Sequence, residues 1–361
     1  MKSSPTLNSV RIVGAGLLGT SIGLALTKRG IDVSIESASP SSQALAVDYG
    51  AGRNAHAGDD PDLVVVCVPP DVTTKIVAAK LAEFPGAVVT DVASVKAEIL
   101  EDLKSAEVDL SRYVGSHPMA GREKGGAMSG RADLFLGRPW IIAPAPGNDE
   151  NDIALVKLLA ETLGSSVVEM TAAEHDRAVA LVSHVPQVVS SLLAARLNLA
   201  EPEQVALAGQ GLRDTTRIAA SDAKLWTQIL SANHDAVSNV LKDFAADLQK
   251  IAAALDNPEA PGALMAISAA IEAGNSGVAK IPGKHGSKAT KYAQVIVMID
   301  DRPGEFARLL NEIGDLGVNI EDLQLEHSPG AQIGLVELSV LPNAFDGLVS
   351  DLKNNGWRIA G

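Results

Sequence analysis

Val10-Arg11-Ile12-Val13-Gly14-Ala15-Gly16-Leu17-Leu18-Gly19 joins a short apolar run to a glycine-spaced turn and an amphipathic stretch from Leu17 to Arg29. The next strand-like run, Asp32-Val33-Ser34-Ile35-Glu36, ends on an acid 22 residues beyond Gly14. Each glycine answers a separate demand. Gly14 allows a tight strand-to-helix turn, Gly16 lets the backbone approach a pyrophosphate at the helix N-terminus, and Gly19 allows helix to pack closely on strand. Strand, glycines, helix and acid together predict a dinucleotide pocket, with Leu17 and Leu18 in the cofactor-facing first turn. Glu36 would accept hydrogen bonds from the ribose hydroxyls and repel a 2′-phosphate. The expected cofactor is therefore NAD, although Ser37 and Ser39 could still hydrogen-bond a phosphate.

Working outward, short apolar runs alternate with helical patterns as far as about residue 170. Strands are expected at Val10–Val13, Val33–Glu36, Leu63–Val68, Ala87–Asp91, Tyr113–Ser116, Trp140–Ala143 and Val167–Met170. This alternation predicts an α/β Rossmann-type domain over 1–170, built on a doubly wound parallel sheet. From Thr171 the texture becomes helical, opened by the capping-box pair Thr171 and Glu174. An all-α domain over 171–273 is expected to bind substrate and to dimerise. Residues 274–291 carry four glycines, four lysines and no acid, and read as a basic linker. From 292 to 361 the order strand, helix, strand, strand, helix, with a short last strand, suits a small α+β ferredoxin-like module.

Composition narrows the function. The 361 residues are 46% hydrophobic, enough for several cores, and carry a net charge of −14. That charge opposes nonspecific attraction to nucleic acid or anionic lipid. Aromatic residues make up only 3%, with no basic-aromatic interleaving suited to base stacking. The single cysteine, Cys67, falls in an apolar strand pattern, so no cysteine-cluster metal site and no internal disulfide is expected. The N-terminal residues lack a secretory pattern, and no membrane-spanning run stands out. A cytoplasmic enzyme without a metal is the expectation.

Three clusters place polar residues where elements should end. The first is Asp91-Val92-Ala93-Ser94-Val95-Lys96. The second is Gly115-Ser116-His117-Pro118-Met119-Ala120-Gly121, followed by Arg122-Glu123-Lys124. His117 is expected at the carboxyl edge of the sheet, beside the reacting end of the cofactor, and is read as catalytic. The third lies in the helical region, where an ideal helix brings His175, Ser183 and Gln187 to one face and turns His184 about 180° from His175. Pro186 is expected to kink that helix. Further on, Arg213-Asp214-Thr215-Thr216-Arg217, with Trp226, suits an anion pocket in which Arg213 or Arg217 grips a carboxylate.

Taken in order, the glycine fingerprint, Asp-Val-Ala-Ser-Val-Lys, Gly-Ser-His-Pro-Met-Ala-Gly, His175-Asp176, Ser183-His184-Val185-Pro186 and Arg-Asp-Thr-Thr-Arg resemble the prephenate and arogenate dehydrogenase family of tyrosine biosynthesis. The resemblance covers residues 9 to about 291, and Tyr292 to Gly361 looks like an ACT domain. It implies oxidative decarboxylation of a cyclohexadienyl substrate with NAD. His117 would act on the ring hydroxyl, Ser94 would orient it and Arg217 would hold a substrate carboxylate. The family's Ser-His-x-Pro-His motif ends here in Gln187, which leaves prephenate and arogenate both open as substrates. The ACT resemblance implies feedback by tyrosine, bound near Gly304 and Asn319 at an interface between two modules. The rival readings are a β-hydroxy acid dehydrogenase, for which Lys224 is a poor catalytic lysine, and a non-enzymatic NAD and amino-acid sensor.

Overall fold

The computed structural model describes residues 5–121, 125–281, 292–327 and 333–360. The charged stretch 122–124 and the linker residues 282–291 lie outside them. The chain divides into two compact units, Met1–Ala200 with Thr215–Asp247, and Glu201–Asp214 with Leu248–Gly361.

The first unit begins with β1 (Ser9–Val13), α1 (Leu17–Thr27), β2 (Asp32–Glu36), α2 (Pro40–Asp48), β3 (Arg53–Asn54), β4 (Leu63–Val66), α3 (Pro70–Glu83) and β5 (Val88–Asp91). The five strands pair in parallel in the order β3-β2-β1-β4-β5. Helices cover both faces, which is why β4 is buried at all four residues and reads as an unbroken apolar run. Strand order reverses between β1 and β4. A doubly wound sheet opens its ligand crevice at such a point, beyond the strand carboxyl ends.

Next come α4 (Ala97–Ser105), β6 (Val114–Pro118), β7 (Pro139–Pro144), α5 (Glu150–Thr162) and β8 (Ser166–Glu169). Here the parallel expectation fails. β6 runs antiparallel to β7, β7 parallel to β8, and the three form a separate sheet that meets the first through a Val89–Tyr113 bridge. β6 is also longer than expected and includes His117 and Pro118, so the histidine sits inside a strand.

The helices that follow are α6 (Ala172–Val179), α7 (Val185–Arg196), α8 (Pro202–Val205), α9 (Gln210–Thr216), α10 (Ala223–Ala232), α11 (His234–Asp256) and α12 (Ala263–Val278). The Thr171–Glu174 capping box is formed at the start of α6. Between α6 and α7 the residues Ala180–His184 make a π-helical turn, with Pro186 in the first turn of α7. The continuous helical run Ala172–Leu199 is long and apolar enough to cross a membrane by length and composition, contrary to the sequence reading. It nevertheless carries His175, Asp176 and His184 buried within the first unit. α12 reaches Val278, five residues past the expected helical limit of 273.

The second unit ends in β9 (Ala293–Asp300), α13 (Glu305–Asp315), β10 (Asp322–His327), β11 (Ile333–Val340), α14 (Pro342–Asn354) and β12 (Arg358–Ala360). Its antiparallel order, β10-β11-β9-β12, is the ferredoxin-like one. Alternate residues Val295, Val297 and Ile299 of β9 and Val336, Leu338 and Val340 of β11 pack against Leu309, Ile313, Leu348 and Leu352 of the two helices. That is the period-two burial of a sheet covered on one face.

Candidate active site

A cavity of about 860 Å³ opens in the first unit. One wall is the N-terminus of α1 (Gly16, Leu17, Leu18), with Cys67 and Val68 just past β4. A second wall is the Val92-Ala93-Ser94 turn after β5, with His117 at the end of β6. The third comes from the helical region and includes Ser183, His184, Ser221 and Trp226.

The first wall fits a dinucleotide pyrophosphate. Gly14 has φ +112°, and a Cβ there would lie 2.2 Å from the Cys67 carbonyl oxygen. A Cβ on Gly19 would lie 2.0 Å from the Gly14 oxygen, so both positions admit only glycine. Gly16 instead has open space where its side chain would be. It caps α1 without a side-chain hydrogen bond, so the first-turn N–H groups and the positive end of the helix dipole meet the cavity. Glu36 ends β2, and its carboxylate is held by Lys80 and by Arg11. The charge expected to repel a 2′-phosphate is therefore shared with two cations.

The second wall rests on a buried ionic cluster. Asp91 Oδ1 accepts from Ala93 N at 2.8 Å and from the Lys96 ammonium, while Oδ2 accepts from the Tyr113 hydroxyl at 2.8 Å. Both members of the Asp91–Lys96 pair are fully buried. This knot folds the 91–96 turn tightly and presents half-buried Ser94 to the cavity. Burial lowers the Lys96 ammonium from its ordinary value, against the opposing pull of Asp91, and raises the Tyr113 phenol. Ser116 donates to the Asp91 backbone oxygen at 2.8 Å and fastens β6 beside β5.

Behind His117 lies a chain of polar contacts. Its Nδ1 is 2.9 Å from His175 Nε2, and His175 Nδ1 is 2.7 Å from Asp176 Oδ1. Asp176 also accepts the backbone N–H groups of Lys96 and Ala97 at 2.9 and 2.8 Å, capping α4. The Asn233 amide donates to the Asp176 backbone oxygen at 2.8 Å and approaches His184 Nδ1 at 3.1 Å. Burial, with His175, Lys96 and His184 nearby, holds His117 well below the usual histidine range. Burial also brings His184 down to about 4.

The helical wall corrects the expected face. His175 is completely buried behind His117 and does not line the cavity. Ser183 does, and so does His184, which the ideal-helix reading turned away. The cause is the π turn, whose wider i→i+5 spacing resets the phase between His175 and His184. Gln187 lines a second cavity of about 280 Å³, which shares Ser221 and Trp226 with the first. Arg217 is exposed at the start of the turn Arg217–Ala219 and is not in the cavity wall, and Arg213 belongs to the second unit. Sequence reasoning noticed Lys224, which lines the cavity, but not Asn233 or the roles of Asp91 and Tyr113. In the C-terminal module Gly304 caps α13 at φ +92° with open space at its Cβ position. Asn319 there donates to Glu321 at 2.6 Å.

Comparison with known proteins agrees with this geometry. Residues 22–169 match the nucleotide-binding domain of prephenate dehydrogenase, and residues 171–267 its dimerization domain. NovF of Streptomyces niveus, named a probable prephenate dehydrogenase, is 34% identical over 356 residues, covering 96% of this chain and 98% of its own. Prephenate dehydrogenase of Bacillus subtilis is 24% identical, covering 92% of each. Among solved structures, A. aeolicus prephenate dehydrogenase in complex with hydroxyphenyl propionate and NAD+ superposes with a TM-score of 0.67 at 28% identity, over 76% of this chain and all of that one. Synechocystis arogenate dehydrogenase gives 0.62 at 25%, over 74% and 99%. Sequence, fold and cavity converge: this chain belongs to the prephenate dehydrogenase family of NAD-dependent oxidoreductases.

Proposed function

We propose that this chain oxidises prephenate, with loss of the ring carboxylate as CO2, to 4-hydroxyphenylpyruvate. The observation that carries the reading is that one cavity joins the pyrophosphate cradle at α1 to Ser94 and His117. NAD, when bound, supplies the hydride acceptor. His117 takes the proton of the ring hydroxyl, and Ser94, across the same wall, orients that hydroxyl. A neutral imidazole is the form that can accept, and burial keeps His117 in that form. Enclosure by the helical wall holds the ring in one orientation, which contributes through proximity. Arg217 is assigned a substrate carboxylate.

A second reading, arogenate as substrate, is favoured by Gln187. This buried amide hydrogen-bonds Ser191 and stands where the family motif has a histidine. A neutral amide offers an acceptor as well as a donor, and so can face an ammonium. We assign the C-terminal module as an ACT domain that binds tyrosine near Gly304 and Asn319. The enzyme is read as cytoplasmic and homodimeric, with exposed apolar residues such as Leu192 on α7 and Met265 on α12 as part of the dimer surface.

NAD reduction measured separately with prephenate, arogenate and a β-hydroxy acid tests the assignment. Turnover of prephenate at a higher kcat/KM than arogenate is expected, and the reverse order would select the Gln187 reading. No turnover with any of them would favour a sensor.

A further inference from the structure

We infer that His117, His175 and Asp176 form a two-histidine proton relay, in which the proton taken at His117 Nε2 drives the Nδ1 proton of His117 onto His175 Nε2. The inference rests on His117 being the base of the proposed reaction. It goes beyond that reading by fixing which nitrogen does the chemistry and where the charge comes to rest.

The protonation states follow from the contacts. A carboxylate only accepts, so the 2.7 Å contact with Asp176 requires a proton on His175 Nδ1. Neutral His175 then has an acceptor at Nε2. His117 Nδ1, 2.9 Å away, must carry the donated proton, which leaves His117 Nε2 as the lone-pair nitrogen. The Asp176 carboxylate is held in turn by the N–H groups of Lys96 and Ala97 at the start of α4, so its orientation is set by a second element. Every link has a partner that fixes it.

When the hydroxyl O–H bond breaks, its proton bonds to His117 Nε2. The His117 Nδ1–H bond breaks in the same event and that proton bonds to His175 Nε2. His117 ends neutral and His175 ends cationic, against Asp176. The surroundings favour this outcome. His117 faces His175, Lys96 and His184, none of which stabilises a positive charge, and its own proton affinity is lowered by burial. His175 has the carboxylate in contact. Asp176 and His175 are positioning residues, since neither lines the cavity.

Two variants and a solvent isotope measurement test the relay. His175→Phe removes the acceptor without touching the cap on α4. Asp176→Asn keeps an acceptor oxygen toward His175 Nδ1 and the Lys96 N–H but removes the negative charge against which a cationic His175 would rest. Each is expected to lower kcat by about a hundredfold or more, with KM and the NAD dissociation constant within a few-fold of wild type. The dependence of kcat on the D2O fraction should be bowed in the wild type, reporting two protons in flight, and linear in His175→Phe. A linear wild-type dependence, or full kcat in His175→Phe, would overturn the relay. Failure of the wild type to turn over either substrate would instead overturn the proposed reaction. Should Asp176→Asn unfold through loss of the α4 cap, His175→Phe still decides the question.

Discussion

Lys80 holds both carboxylate oxygens of Glu36, with its ammonium 2.8 Å from Oε1 and 2.7 Å from Oε2. Arg11 reaches the same carboxylate at 3.1 Å. The acid expected to select against a 2′-phosphate thus shares its charge with two buried cations, which also pair with Glu83 and Asp59. Discrimination is then expected to come from how Glu36 would bind ribose hydroxyls more than from bare repulsion. Replacing Glu36 with serine should leave Lys80 and Arg11 with one acid each, Glu83 and Asp59, and so better able to meet a phosphate, narrowing the NAD preference in kcat/KM by about tenfold or more. Adding Lys80→Met should reverse most of that gain. Dissociation constants for NAD and NADP, measured without substrate, check both steps.

His117→Asn should lower kcat by roughly 10² or more while leaving NAD affinity nearly intact, because the base is lost but the cradle at α1 is untouched. Steady-state kinetics beside a direct NAD titration separate the two. Full kcat in the variant would remove His117 from the chemistry.

Stability should fall on mild acidification. The folded protein holds His117 and His184 below their unfolded value of 6.5, with His184 at about 4. Between pH 6.5 and those lowered values the unfolded chain binds more protons, so unfolding gains ground as pH falls. The thermal midpoint should decline steadily from pH 6.5 to 5, above the range in which most carboxylates titrate. The decline should be shallower in His184→Phe. A flat midpoint across that interval would contradict the neutral, buried histidines.

Arg217→Ala should raise KM for the substrate by about tenfold or more with little change in NAD affinity, since a charge-assisted pair to a carboxylate is lost. Arg213→Ala serves as the comparison. If Arg213 carries the effect and Arg217 does not, the carboxylate assignment moves back one helical turn.

Tyrosine should inhibit the full chain and not a shortened chain ending near Lys291, provided the latter remains folded and active. Coupling requires tyrosine to prefer one state of the enzyme, because equal affinity for two states shifts neither. Equal inhibition of both chains would place the effect at the active site.

What the sequence discloses here depends on range. Gly14, at φ +112°, and Gly19, against the Gly14 oxygen, answer partly to backbone geometry within the turn, so the glycine spacing, read with the strand before it, the helix after it and the acid beyond, locates the cradle. The Asp91–Lys96 turn stands out as a polar cluster for the same reason, being closed by contacts five residues apart or fewer. The direction of β6 has no local signature, since apolar alternation is the same in either orientation, and a parallel strand was therefore expected. Asn233 lies 57 residues from Asp176 and 49 from His184, and nothing near any of the three announces the contact. The placement of His175 and His184 failed differently. The helix that carries them does not keep a uniform period of 3.6.

The π turn at Ala180–His184 is, in effect, a reading frame for the helical wall. Exposed Leu181 and Val182 within it should accept substitution freely, because their identity matters less than their number. Deleting either residue would let the ladder close as a continuous α-helix with the residues beyond it near their present phase, because a π turn is an α-helix that has taken up one extra residue. The shortened helix would be more regular, with Gln187 still near its cavity, but it would lose the widened turn that brings both Ser183 and His184 to the first cavity. Length, more than composition, is what this segment has to preserve.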